Sequence, residues 1–193
     1  KLIIFDLDGT LVDSALDFDS MRADLGIEAG KPILEELDLI ESETQRAKMF
    51  EIVHRHELKG ALESTLYDGV KDFLQFLDTN QFKKAILTRN STISTKETLK
   101  KHQLQFEYVC TRDDIKNQKP HPEGLIKICD HFTVKPDQAI YIGDFTFDML
   151  AAKNAKMRSL YFGGNEDIAQ LANFQFQDYK ELLNGKLLKQ LFN

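Results

Sequence analysis

The chain has 193 residues, of which 42% are hydrophobic and 29% charged, which is typical of one globular core with at most a small inserted domain. Its formal net charge of -6, without a cluster of basic and aromatic residues, argues against a nucleic-acid-binding surface. No apolar run approaches the roughly 20 residues of a membrane span, and Cys110 and Cys129 lack the spacing of a zinc or redox motif. These features predict a cytoplasmic protein that binds neither nucleic acid nor membrane, and they leave its oligomeric state open.

The first predicted element is a buried strand at residues 2–5, and about 80 residues separate it from the next apolar run of strand length. Within this long interval, residues 19–25, 33–41 and 43–56 show helical spacing. We therefore expect residues 15–66 to form a small inserted helical cap, and residues 1–14 with 67–193 to form the core. A further helix at residues 69–77 would return the chain to that core.

Four more apolar runs of strand length follow along the chain, at residues 85–87, 108–110, 139–142 and 159–162. Helix-period segments at residues 94–102, 122–132 and 147–155 separate them, an alternation typical of a parallel sheet with helices on both faces. Residues 179–192 repeat helical spacing, with leucines that would pack on the core. The predicted fold class is therefore α/β, a Rossmann-like doubly wound parallel sheet with a small inserted α-helical cap domain.

The residues that immediately follow the first strand are candidates for a functional site, because parallel α/β sheets bind ligands at the carboxyl ends of their strands. There the chain reads Asp6-Leu7-Asp8-Gly9-Thr10, and the two-residue period of extended backbone allows both carboxylates to face one side. Two carboxylates this close repel each other unless a cation lies between them or one is protonated. A solvated aspartate pair in a turn is the alternative interpretation of this segment alone.

Thr88 ends the second apolar run, and Lys119 comes after the third. The Thr88 hydroxyl could donate to a phosphate oxygen, or it could only cap the helix that follows. Pro120 and Pro122 stiffen the chain beside Lys119 and would hold its ammonium near the edge of the sheet. An ordinary surface lysine is the alternative.

The run at residues 139–142 leads into Gly143-Asp144, and Asp148 follows near the start of a helix, whose dipole it could simply complement. Asp144 leaves a buried strand directly, which places a third carboxylate at the same sheet edge as Asp6 and Asp8. Several converging carboxylates are strongly unfavourable without a cation, and an all-oxygen cluster suits Mg²⁺. The sequence therefore predicts a magnesium site.

These four motifs, in this order and in these strand contexts, resemble the haloacid dehalogenase superfamily. The resemblance is to its phosphatases with a small helical cap, of the phosphoglycolate phosphatase type, and it covers nearly the whole chain. It consists of DLDGT at residues 6–10, Thr88 in ILTRNS, Lys119 in QKPHPEG and GDxxxD at residues 143–148.

The resemblance implies a catalytic role for two residues and phosphate binding by two others. Asp6 would be the nucleophile that becomes an aspartyl-phosphate, and Asp8 would be the general acid and then the general base. Thr88 and Lys119 would hold the phosphoryl oxygens. Since the family's dehalogenases and phosphonate hydrolases lack an acid at the position of Asp8, this residue favours phosphate esters.

The resemblance also implies a metal set and an activity. Asp6, the backbone carbonyl of Asp8 and Asp144 would bind Mg²⁺, with Asp148 as a ligand or as its support. The expected activity is Mg²⁺-dependent hydrolysis of a small phosphorylated metabolite. Two alternatives stay open: a sugar phosphomutase of the beta-phosphoglucomutase type, which returns the phosphoryl group to its substrate, and a phosphate-binding regulatory protein without turnover.

Overall fold

A computed structural model describes residues 1–192, except for the side chain of Leu191. Its strands, in chain order, are β1 (Leu2–Phe5), β2 (Val12–Asp13), β3 (Thr65–Leu66), β4 (Lys83–Leu87), β5 (Tyr108–Cys110), β6 (Ala139–Gly143), β7 (Arg158–Phe162) and β8 (Phe174–Phe176). Its helices are α1 (Phe18–Leu25), α2 (Ile33–Asp38), α3 (Glu43–Glu63), α4 (Val70–Thr79), α5 (Thr92–His102), α6 (Glu123–Phe132), α7 (Thr146–Asn154), α8 (Glu166–Ala169) and α9 (Lys186–Leu191). No helix among these residues combines the length and the apolar character that crossing a membrane requires.

Six of the strands form one parallel sheet in the order β5-β4-β1-β6-β7-β8. In this sheet Phe5 pairs with Ile86 on one side and with Ile142 on the other, so that β1, β4 and β6 end at nearly the same level. The predicted Rossmann-like α/β fold is confirmed, and all five predicted strands belong to this sheet. The sixth strand, β8, was not predicted because its three residues are mostly exposed and form no apolar run.

The two faces of the sheet carry separate apolar cores, since neighbouring residues of a strand point to opposite faces. Ile3 and Phe5 belong to one core, which α4 and the C-terminal residues cover. Leu2 and Ile4 belong to the other core, which α6 and α7 cover. Helices on both faces of a parallel sheet make this a doubly wound fold.

The C-terminal residues pack on the core but do not form one continuous helix. A short 3-10 turn at Tyr179–Leu182 precedes α9, and Gly185 lies between them with a φ of +66°. Leu182 and Leu188 are buried in the first core, as the spacing of the leucines predicted. Gly185 adopts a left-handed conformation that redirects the chain. The helix is therefore broken at this residue, although the helical spacing of the sequence continues across it.

The first three helices lie between β2 and β3, which pair with each other as a short antiparallel ribbon. Their apolar side chains form a third cluster, separate from both cores of the sheet, that includes Met21, Leu37 and Val53. The helix α3 extends to Glu63, seven residues beyond its predicted end at residue 56. Its C-terminal half packs along α5 of the core, so tertiary contacts extend it.

Candidate active site

The carboxyl ends of β1, β4 and β6 meet at one edge of the sheet, beneath the three inserted helices. Together they border a cavity of about 640 Å³. The structure brings all six residues singled out in the sequence to this cavity: Asp6, Asp8, Thr88, Lys119, Asp144 and Asp148. Its remaining walls are largely apolar and include Phe18, Met21, Ile33, Leu34 and Val53 of the inserted helices, with Phe145 and Phe147 of the core.

Lys119 lies at the bottom of the cavity, where its side chain is 4% exposed. Its Nζ is 2.8 Å from Asp6 Oδ1 and 2.6 Å from Asp148 Oδ1, and it also donates to the Tyr141 hydroxyl at 3.0 Å. Burial acts to lower the pKa of Lys119, but Asp148 and Asp6 outweigh this effect and raise it. The lysine is therefore a buried ammonium, not the ordinary surface lysine that was the alternative interpretation.

Both carboxylate oxygens of Asp148 are occupied by protein donors. Its Oδ1 accepts from Lys119 and from the Tyr141 hydroxyl, and its Oδ2 accepts from the backbone N–H of Phe145 at 3.0 Å. Gly143 leaves room for this side chain, because a Cβ there would lie 2.4 Å from the Cβ of Asp148. This arrangement lets Asp148 orient Lys119 from beneath the cavity.

Asp6, Asp144 and Asp148 form an acidic cluster in which one carboxylate oxygen of each lies within 4.8 Å of the others. Burial raises the pKa of Asp6 well above its ordinary value, and Asp148 and Asp144 raise it further although Lys119 opposes them. Burial and then Asp148 raise the pKa of Asp144 to about 6. The cluster thus holds more negative charge than Lys119 neutralises, and an all-oxygen set of this kind fits a small divalent cation such as Mg²⁺.

Gly9 allows the chain to turn closely beneath Asp144. Its φ of +79° lies in the left-handed region, and a Cβ at this position would lie 2.2 Å from Asp144 Oδ2. The next residue, Thr10, donates from its hydroxyl to Asp144 Oδ1 at 2.9 Å. The turn after β1 therefore both accommodates and orients the carboxylate that follows β6.

Asp8 lies in the same turn, and its Oδ2 accepts a hydrogen bond from the side-chain amide of Asn90. Burial raises the pKa of Asp8 to about 6, so the carboxyl can hold a proton close to neutral pH. The backbone N–H of Asn90 donates to Thr88 Oγ1 at 3.2 Å, which links this loop to the strand end.

The sequence patterns did not indicate two residues that contact the site. Asn90 follows the end of β4 by only three positions, so the rule that polar residues after a strand are candidates could have included it. Tyr141 lies inside the apolar run of β6, and no local pattern distinguishes it from a core residue. Its contact with Asp148 becomes visible only in the folded chain.

The chain is similar to known hydrolases. A family model for haloacid dehalogenase-like hydrolases matches residues 25–162. A phosphoglycolate phosphatase of Colwellia psychrerythraea is 31% identical, and the alignment covers 95% of this chain and 95% of the relative. A haloacid dehalogenase-like hydrolase domain-containing protein of Arabidopsis thaliana is 28% identical over 77% of this chain, which spans 64% of that relative's length.

The fold itself has close counterparts among solved structures. The crystal structure of a beta-phosphoglucomutase from Clostridium difficile superposes with a TM-score of 0.83, covering 100% of this chain and 96% of that chain at 23% identity. An identity this low supports a shared fold and carries no statement about activity. The family model, by contrast, spans more than half of the chain and includes three of the four motifs at the sheet edge. The chain belongs to the haloacid dehalogenase-like hydrolases.

Proposed function

We propose that this protein is a Mg²⁺-dependent phosphatase that hydrolyses a small phosphorylated metabolite through an aspartyl-phosphate on Asp6. The observation that carries the proposal is the position of Asp6, at the end of the central strand, 2.8 Å from the buried Lys119 and within an acidic cluster at the base of the cavity. Membership of a hydrolase family and the similarity to a phosphoglycolate phosphatase support it.

In the proposed reaction the Asp6 carboxylate attacks phosphorus, and Asp8 protonates the oxygen of the leaving group. The raised pKa of Asp8, about 6, suits a residue that must hold and release this proton. Asp8 then removes a proton from water, which attacks the aspartyl-phosphate, releases phosphate and regenerates Asp6. Lys119 and the Thr88 hydroxyl hold the phosphoryl oxygens during both steps.

Asp6, Asp144 and the backbone carbonyl of Asp8 would hold the Mg²⁺ ion. When bound there, the ion would supply positive charge that offsets the phosphoryl oxygens and the acidic cluster. Asp148 would support the site without binding the ion directly, because both of its carboxylate oxygens already accept hydrogen bonds from Lys119, Tyr141 and Phe145.

Residues 15–66 would act as a cap that encloses the substrate. The proposal rests on the separate apolar cluster of α1–α3 and on their position over the cavity. A cap of this kind excludes water from the aspartyl-phosphate and supplies contacts to the rest of the substrate.

The first test replaces Asp6 with Asn, which is nearly isosteric but is a poor nucleophile. We expect Asp6→Asn to abolish phosphate release while its circular dichroism spectrum stays native. The exposed Asp137→Asn serves as a matched control and should keep full activity. Activity of Asp6→Asn within about tenfold of the wild type would contradict the role of Asp6.

The second test removes the metal. We expect excess EDTA to stop phosphate release, Mg²⁺ to restore it and Ca²⁺ to support it poorly, because its larger and looser coordination misplaces the attack. Full activity in excess chelator would contradict the metal site.

Product analysis separates the proposal from its two alternatives. With a sugar phosphate as substrate, a phosphatase yields free phosphate, whereas a phosphomutase of the beta-phosphoglucomutase type yields the isomeric sugar phosphate. A regulatory protein yields neither product and still binds phosphate.

A further inference from the structure

An ion pair between the core and the inserted helices borders the cavity. Arg89 follows Thr88 at the end of β4, and Glu35 lies on α2. The Nη2 of Arg89 donates to both carboxylate oxygens of Glu35, at 2.7 and 2.8 Å. A carboxylate is therefore already bound to a guanidinium that lines the cavity.

The core holds the Arg89 guanidinium in place. Its Cζ lies 5.1 Å from the ring centroid of Phe147, and Arg112 donates to its backbone carbonyl at 2.9 Å. The side chain is 23% exposed, and within residues 1–192 its hydrogen bonds to carboxylate involve Nη2 alone. The Nε and Nη1 groups thus supply further donors to an oxyanion that enters the cavity.

Glu35 is the more exposed partner, since 41% of its side chain is accessible to water. An ion pair at this level of exposure contributes little to stability, and an entering anion can displace Glu35 at small cost. Glu35 also contributes a negative charge beside a cavity that already contains the acidic cluster. An anionic substrate would therefore have to compete with this carboxylate for Arg89.

We propose that Arg89 determines substrate specificity by binding a carboxylate on the leaving group, and that Glu35 occupies Arg89 when such a substrate is absent. The inference rests on the proposed phosphatase function and adds a substrate class to it, the phosphate monoesters of small hydroxy acids. In sequence, Arg89 lies between Thr88, which is proposed to hold phosphate, and Asn90, which binds Asp8. The carboxylate of the substrate would therefore lie close to its phosphate.

The experiment compares two substrates that differ in one group. Phosphoglycolate and 2-hydroxyethyl phosphate share a two-carbon leaving group, which ends in a carboxylate in the first and in a hydroxymethyl group in the second. We expect Arg89→Gln to lower the ratio of their kcat/KM values by about thirtyfold, since a hydrogen-bonded charge pair is lost only for phosphoglycolate. We expect Glu35→Gln to raise this ratio by about threefold or more, because it removes the competing charge.

Arg55→Gln is the charge-matched control, because Arg55 forms an exposed ion pair with Asp24 away from the cavity, and it should leave the ratio unchanged. Equal effects of Arg89→Gln on both substrates, or a fall in the ratio for Glu35→Gln, would show that the pair only fastens cap to core and would overturn the inference. If the wild type releases phosphate from p-nitrophenyl phosphate but from neither of these two compounds, the inference is overturned while the proposed function stands. If it releases no phosphate from any of the three, the proposed function fails. In that case the dissociation constants of phosphoglycolate and 2-hydroxyethyl phosphate, measured by calorimetry, test the role of Arg89, because Arg89→Gln should weaken only the binding of phosphoglycolate.

Discussion

Among single residues, Glu57 and Arg112 form the most buried ion pair between the inserted helices and the core. Glu57 lies on α3 with 5% of its side chain exposed, and both Nη groups of Arg112 donate to its carboxylate. The same carboxylate accepts from the backbone N–H of Ser91 and from the Ser94 hydroxyl, each at 3.2 Å. Its partners lie in the loop that follows β4, in the first turn of α5 and in the segment that follows β5, so Glu57 orders these segments beside the site.

We expect Glu57→Ala to lower the free energy of unfolding by about 3 kcal/mol, because it leaves the largely buried Arg112 without the carboxylate to which both of its Nη groups donate. Urea unfolding followed by circular dichroism measures this loss. Glu28→Ala removes a partner of the exposed Lys31 and should cost less than about 1 kcal/mol. Equal losses in the two variants would mean that the burial of the Glu57–Arg112 ion pair adds nothing to the free energy of unfolding.

The two cysteines allow a prediction about pH. Burial raises the pKa of Cys110 to about 11 and that of Cys129 to about 12, above the ordinary value of 9.0. Below about pH 9 the folded and unfolded chains both hold these protons. As pH rises from about 9 towards 11, the unfolded chain loses them first, so the free energy of unfolding falls.

Urea midpoints at about pH 8, 9 and 10 measure this fall, which should be shallower in a Cys110→Ala/Cys129→Ala variant. At about pH 8 both residues of the folded protein remain neutral thiols, so an aromatic disulfide reagent should modify them only after urea is added. Rapid modification of the folded protein would contradict their burial.

At the scale of elements, the junction between β6 and α7 sets the position of Asp148. Gly143 ends the strand, and a Cβ there would lie within 2.6 Å of three atoms of the Asp148 side chain. We expect Gly143→Ala to displace Asp148, to lower the free energy of unfolding by about 1–3 kcal/mol and to lower phosphate release by about tenfold or more.

Gly164→Ala is a suitable control for this variant, because its new Cβ would meet the Gln177 side chain at an ordinary distance of 3.4 Å. Unfolding curves and phosphate release should both stay close to the wild type. If Gly143→Ala also behaved like the wild type, close packing at the β6–α7 junction would not matter for Asp148.

At the scale of the whole molecule, the inserted helices have their own apolar cluster, and α3 meets α5 of the core through polar contacts as well. The Ser64 hydroxyl and His102 Nε2 are 2.8 Å apart, and Lys101 donates to the carbonyl oxygen of Leu62 at 2.6 Å. Beneath α3, the α5 residues Ser94, Thr95 and Thr98 are buried and polar. Polar groups of this kind tolerate water when the helix above them is removed.

We expect a variant in which a short Gly/Ser linker replaces residues 15–64, and which keeps the β2–β3 ribbon, to fold cooperatively. Its kcat/KM should fall far more for the preferred metabolite than for p-nitrophenyl phosphate, because contacts of the cap with the leaving group are lost. Thermal unfolding and steady-state kinetics measure both effects. Equal losses of kcat/KM on the two substrates would indicate that the cap only excludes water. An unfolded variant would disprove the proposed boundary between cap and core.

The sequence alone predicted five of the six strands of the sheet and the residues at its edge. The five apolar runs have the length of buried strands, and parallel strands must end at a common edge, so Asp6, Thr88 and Asp144 could be brought together without coordinates. Lys119 was a weaker prediction, because its loop has no periodic pattern and only its neighbouring prolines suggested a fixed position.

The tertiary structure alone decided which side chains meet across the cavity. Asn90 reaches Asp8 across 82 positions of sequence, Arg89 reaches Glu35 across 54, and Tyr141 turns from a core position towards Asp148. Periodicity reports which face of its own element a residue occupies, and it carries no information about the distance to another element. These contacts depend on how the inserted helices and the strand-end loops pack, which is why they appear only in the folded chain.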